Sequence, residues 1–169
     1  MTMKEMLCFA LIASCVGCAT APVADTRAKD EADIRALEDH FTAAFKAKDV
    51  NAIMALYTPG PDLVVFDASP PRQYTGWHAY KKDFEDFLAS SPGPADMVIT
   101  DLSVTVGGDV AYSHSIQHPS LTDKNGKKTE FTVRVTDGYR KINGQWLISH
   151  EHVSVPVDLP TMKPDLNSN

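Results

Sequence analysis

The stretch Asp137-Gly-Tyr-Arg-Lys-Ile-Asn-Gly-Gln-Trp-Leu-Ile-Ser-His-Glu-His-Val-Ser154 decides how this chain folds. At its centre Asn143-Gly144 is a two-residue turn of the type that joins antiparallel strands, since both residues tolerate positive φ. On either side the residues alternate in character, as they do along half-buried strands. The stretch therefore predicts a hairpin, and its two arms extend to Thr129–Ile142 and Gln145–Val155.

Working backward, the alternation continues through Met97–Val106 and Val110–Leu121, with turns at Gly107-Gly108 and Asp123-Lys124-Asn125-Gly126. Four strands in hairpin succession make an antiparallel meander. Before Pro94 the period is helical. Ile34, Leu37, Phe41, Ala44 and Phe45 form one apolar stripe, with Asp33, Arg35, Glu38 and Lys46 assigned to the solvent side. Asp49 is placed to cap a short second helix carrying Val50, Ile53, Met54 and Tyr57, which Pro59-Gly60-Pro61 stops. Leu63–Phe66 reads as a short buried strand. Thr75 is placed to cap a third helix with Trp77, Tyr80, Phe84, Phe87 and Leu88 in register. Helices first and strands second predict an α+β layer fold, three N-terminal helices packed on a curved, mostly antiparallel sheet.

The 169 residues suit one domain that needs no disulfide or metal to complete its core. The net charge of -6 and the scattered basic residues exclude a nucleic-acid footprint. Residues 1–18 read as a signal peptide, and all three cysteines lie in it. Two tetrads, Ile12-Ala13-Ser14-Cys15 and Cys15-Val16-Gly17-Cys18, resemble the lipobox of bacterial lipoproteins, so Cys18 or Cys15 is the expected lipidation site. The expectation is an exported protein, periplasmic or membrane-anchored, that touches a membrane only through that lipid. Residues 19–28 read as a tether, 29–156 as the folded domain and 157–169 as a loose tail.

Strand parity selects the polar groups that face the core. Phe131, Val133, Val135 and Tyr139 share a face with Asp137, while Thr132, Arg134, Thr136 and Arg140 take the other. Asp67 shares parity with Leu63 and Val65. Two carboxyls in different apolar surroundings can divide into an acid and a base. The alternative is that Asp67 caps a loop and Asp137 is satisfied by backbone or a buried cation. By the same parity His150 and His152 join Trp146 and Ile148, as proton shuttles or as core histidines. With His114 or His118 they could be metal ligands, but no closing carboxylate stands at a ligand-like spacing, and neither metal nor cofactor is expected. Phe41, Tyr57, Trp77, Tyr112, Phe131 and Tyr139 are the expected pocket walls.

Leu37–Asp49, Ile53–Phe66, Gln73-Tyr74-Thr75-Gly76 and the 137–154 segment together resemble the SnoaL-like members of the NTF2-like superfamily over roughly residues 30–156. The resemblance implies a cone of bent sheet and three helices with a pocket at its wide end, and a homodimer. Within that superfamily Asp-Leu-Val-Val-Phe-Asp67 is similar to the segment ending in the catalytic base of ketosteroid isomerase. Asp137-Gly-Tyr-Arg is similar to the segment holding that enzyme's protonated aspartic acid. Its oxyanion-hole tyrosine matches Phe41, which has no hydroxyl, so either Tyr57 or a histidine supplies the donor or steroid-type isomerisation is not the reaction. The resemblance thus implies a cofactor-independent isomerase or lyase acting by proton transfer on a small apolar carbonyl compound. The alternatives are a lipid- or metabolite-binding lipoprotein and a dimerising interaction module.

Overall fold

The computed structural model describes residues 26–167. Three helices, α1 (Arg27–Ala47), α2 (Val50–Met54) and α3 (Trp77–Ser90), cover one face of a bent seven-stranded sheet. Its strands are β1 (Val64–Phe66), β2 (Tyr74–Thr75), β3 (Ala95–Gly107), β4 (Val110–Thr122), β5 (Lys128–Glu130), β6 (Val133–Ile142) and β7 (Gln145–Ser154), and a separate hairpin pairs β8 (Val157–Asp158) with β9 (Lys163–Pro164). The sheet order is β2-β1-β7-β6-β4-β3, with β5 also on β4. The expected antiparallel meander is present, and β1 joins its end parallel to β7.

The apolar stripe of α1 packs Ile34, Leu37, Phe41 and Phe45 against Ile53, Met54, Tyr80 and Phe84. Asp49 caps α2 as expected, accepting from the Ala52 amide at 3.0 Å. Thr75 does not cap α3. It ends β2, and Gly76 takes the cap position at φ 90°, in the left-handed region that glycine enters without strain. Two boundaries also differ from the sequence reading. Helix α1 already begins at Arg27, inside the expected tether, because Asp30 anchors its first turn: this buried carboxylate accepts from Lys141 Nζ at 2.5 Å, Trp146 Nε1 at 3.1 Å and Thr26 Oγ1 at 2.7 Å. Residues 157–164, expected to be loose, form the β8–β9 hairpin, and the Thr132 amide donates to the Leu166 carbonyl at 2.8 Å. Cys15 and Cys18 lie outside the described residues.

Two one-residue bulges shape the sheet. In β3 the register slips between Thr100 and Ser103, moving the inward side chains from Ala95, Met97 and Ile99 to Leu102, Val104 and Val106. In β7 it slips opposite Gly138/Tyr139: Ile148 pairs with Tyr139, His150 with Gly138, and Ser149 is the extra residue. The second slip determines the chemistry of the interior.

Candidate active site

A cavity of about 230 Å³ opens between α1, α3 and the sheet. Its walls are largely aromatic, with Phe41, Phe45, Tyr80, Phe84, Phe87 and Phe131 among them. Its polar lining comprises Asp67, Ser69, Asp83, Gln117 and Glu151.

Glu151 owes its inward direction to the Ser149 bulge. Upstream, Trp146 and Ile148 face the core; after the extra residue the inward parity passes to Glu151 and Val153. The Glu151 carboxylate accepts from the Tyr57 hydroxyl at 2.6 Å and, on its other oxygen, from the Tyr80 hydroxyl. Burial pushes its pKa up to about 7, against the pull of those two hydrogen bonds, and the negative charges of Asp67 and Glu38 push the same way. This carboxyl titrates in the range where general acids and bases work.

Asp137 lies beside Glu151 on the neighbouring strand and is fully buried, as parity predicts, while Arg134 and Arg140 are exposed. Its Oδ1 has no partner among the described residues. Burial first, then Glu151 and Glu38, hold its pKa well above the usual carboxylate range, which favours its protonated form. It is not part of the cavity wall, however, and stands behind it.

A third buried acid, Glu38, accepts from Tyr139 Oη at 2.7 Å, and that hydroxyl in turn takes a hydrogen bond from Ser113 Oγ at 2.7 Å. Burial raises the Glu38 pKa. Its assignment to the solvent face of α1 is therefore corrected: the Tyr139 hydroxyl draws it inward.

Asp67 stands at the cavity mouth, where its Oδ1 accepts from the amide and hydroxyl of Ser69 at 2.9 and 3.0 Å. Asp83, half-buried on α3, accepts from the Tyr74 hydroxyl at 2.6 Å, and burial raises its pKa.

The histidines do not point inward. The bulge turns His150 and His152 to the outer face, where both rings lie edge-on to Phe66 and His150 Nδ1 is 2.8 Å from the Val64 carbonyl oxygen. His114 and His118 also lie on the outer parity of β4, because Ser113, Ser115 and Gln117, which alternate with them, are buried. No group of three metal-ligating side chains occurs among the described residues. Of the expected walls, Phe41 and Phe131 line the cavity. Tyr57 and Tyr139 are buried beneath it, holding Glu151 and Glu38; Trp77 packs outside and donates to the Met54 carbonyl at 2.8 Å; Tyr112 is 52% exposed on the outer face.

Sequence reasoning missed Glu151, Tyr80, Glu38, Asp83 and Gln117. Tyr80 gave a signal: it is the one tyrosine among the phenylalanines of the α3 core stripe, and a hydroxyl carried into a core needs a partner there.

A cone of helices on a bent sheet, with an aromatic cavity at its open end, defines a pocket protein of the NTF2-like class. The chain belongs to the SnoaL-like domain family, whose profile matches residues 34–158. It is 31% identical to an NTF2-like protein of unknown function from Pseudomonas putida KT2440, covering 84% of this chain and 97% of that one with a TM-score of 0.75. It is 30% identical to a Xanthomonas campestris protein proposed as a calcium/calmodulin-dependent protein kinase II association domain, covering 83% and 95% with a TM-score of 0.66. A proposed scytalone dehydratase from Novosphingobium aromaticivorans shares the fold at 17% identity, with coverage of 78% and 87% and a TM-score of 0.68. No curated protein matches the chain.

Proposed function

We propose that the cavity takes up a small, largely apolar carbonyl compound and moves a proton on it without a cofactor, as an isomerase or lyase does. The observation that carries this reading is the Glu151 carboxyl, buried at the cavity wall between two tyrosine hydroxyls and near Asp67, a carboxyl in quite different surroundings. Asp67, at the mouth, takes the proton from the carbon next to the carbonyl. The C–H electron pair moves into the carbonyl, and protonated Glu151, held by the Tyr57 and Tyr80 hydroxyls, donates to the resulting enolate oxygen. Asp67 then returns the proton to another carbon, or a leaving group departs. Glu38 acts behind the wall by helping to keep Glu151 protonated at higher pH.

The test is deuterium uptake next to the carbonyl of small cyclic ketones in D₂O, followed by NMR. Asp67→Asn and Glu151→Gln each lower the enzymatic rate by about a hundredfold or more while ketone affinity persists. A wild-type rate no faster than buffer overturns the reading. A binding role without turnover is the second reading, and it draws support from the commitment of both tyrosine hydroxyls to Glu151.

The leader read at residues 1–18 places this activity in the cell envelope in our proposal. Pairing of two copies through the outer sheet face, where Tyr112 and Val98 are each 52% exposed, belongs to the same proposal.

A further inference from the structure

We propose that the molecule held in the cavity is a small organic cation, a protonated amine on an aromatic or compact apolar body. The inference rests on the reading of the cavity as a small-molecule site and narrows its ligand class.

Every charged side chain lining the cavity among the described residues is acidic: Asp67, Asp83 and Glu151. Each accepts hydrogen bonds from neutral donors only, namely Ser69, Tyr74, and Tyr57 with Tyr80. The hydrogen-bonding capacity of Asp67 and Asp83 is thus partly met while their charge is not. The repulsion is mutual, since Asp67 raises the pKa of both Glu151 and Asp83. A cation entering among them relieves that repulsion, and an anion adds to it.

Two further features point the same way. The walls present aromatic faces, which attract a cation and exclude water from it. Gln117 is 6% exposed and lines the cavity, where its amide can meet a polar group on the ligand. Size sets the scale. A cavity of about 150 Å³ holds benzene, so about 230 Å³ admits one ring with a short substituent.

The experiment is calorimetric titration of the whole protein near neutral pH with benzylamine, benzyl alcohol and benzoate, which share a ring and differ in charge. Benzylamine binds about tenfold tighter than the alcohol, and benzoate binds more weakly than either. Asp83→Asn removes several-fold of the amine's advantage over the alcohol. Equal binding of amine and alcohol, or preference for benzoate, overturns the cation inference and leaves the proton-transfer reading standing. Failure of all three to bind overturns the cation inference too, whereas a failed ketone exchange with amine selectivity intact strikes only the proton-transfer reading.

Discussion

Asp137 and Glu151 face each other across β6 and β7 as register partners, both buried, and no basic side chain is hydrogen-bonded to either among the described residues. Two carboxyls so placed cannot both be charged near neutrality, and the proton they retain sets the pH behaviour of the whole domain.

The first prediction is a stability that falls as pH rises. The Glu151 pKa is raised from 4.5 to about 7, so between these values the folded state holds more proton than the unfolded chain. The stabilisation is fully present below about pH 4.5 and is lost as pH rises through 7, by about 3 kcal/mol for this group alone. Asp137 and Glu38 act in the same direction. Urea unfolding from pH 5 to 8 measures the decline, and Glu151→Gln flattens it.

On the acid side the sign reverses. Lys141, Thr26 and Trp146 hold the Asp30 pKa down to about 2, so its contribution is present above the ordinary aspartate pKa near 4 and disappears as pH falls toward 2. Asp30→Asn lowers the melting temperature at pH 6 and removes this part of the acid-side loss, as thermal scans at pH 6 and pH 3 will record.

Removal of either tyrosine donor should push Glu151 further up. Tyr57→Phe and Tyr80→Phe each delete a hydrogen bond to a carboxylate and cost about 1.5–3 kcal/mol when Glu151 is charged. Carbon-detected NMR titration of the Glu151 carboxyl reads the shift, and an unchanged midpoint contradicts the geometry.

Phe84 touches the rings of Phe41, Tyr57 and Tyr80 and is 7% exposed. Phe84→Ala is expected to cost about 3–5 kcal/mol in denaturant unfolding. It also enlarges the cavity, so a bulkier ring should gain affinity relative to benzyl alcohol.

The outward histidines supply a negative control. His150→Ala and His152→Ala leave ketone exchange within about twofold of wild type, because both rings lie across the sheet from the cavity beside Phe66. A loss comparable to that of Asp67→Asn would place an imidazole in the chemistry after all.

The layers, the hairpin at Asn143-Gly144 and the burial of Asp137 were legible because each depends on local periodicity: polar residues alternating with apolar ones, or an apolar stripe every three to four residues. The placement of Glu151, His150 and His152 was not, because alternation assumes unbroken pairing and a bulge depends on the partner strand. Glu38 was misread for a related reason: its inward turn is set by Tyr139, 101 residues away. A single helix pattern carries no record of that partner.

The extra residue at Ser149 means that the chemistry of the chamber is written in phase as well as in composition. Were the same residues paired without that bulge, the imidazoles of the last strand would swing indoors and the glutamate would be cast out, with no side chain exchanged for another. A lineage built on this scaffold can therefore convert an acid-lined vessel into a histidine-lined one by a change of strand pairing alone, a route that substitution-by-substitution comparison of its members would overlook.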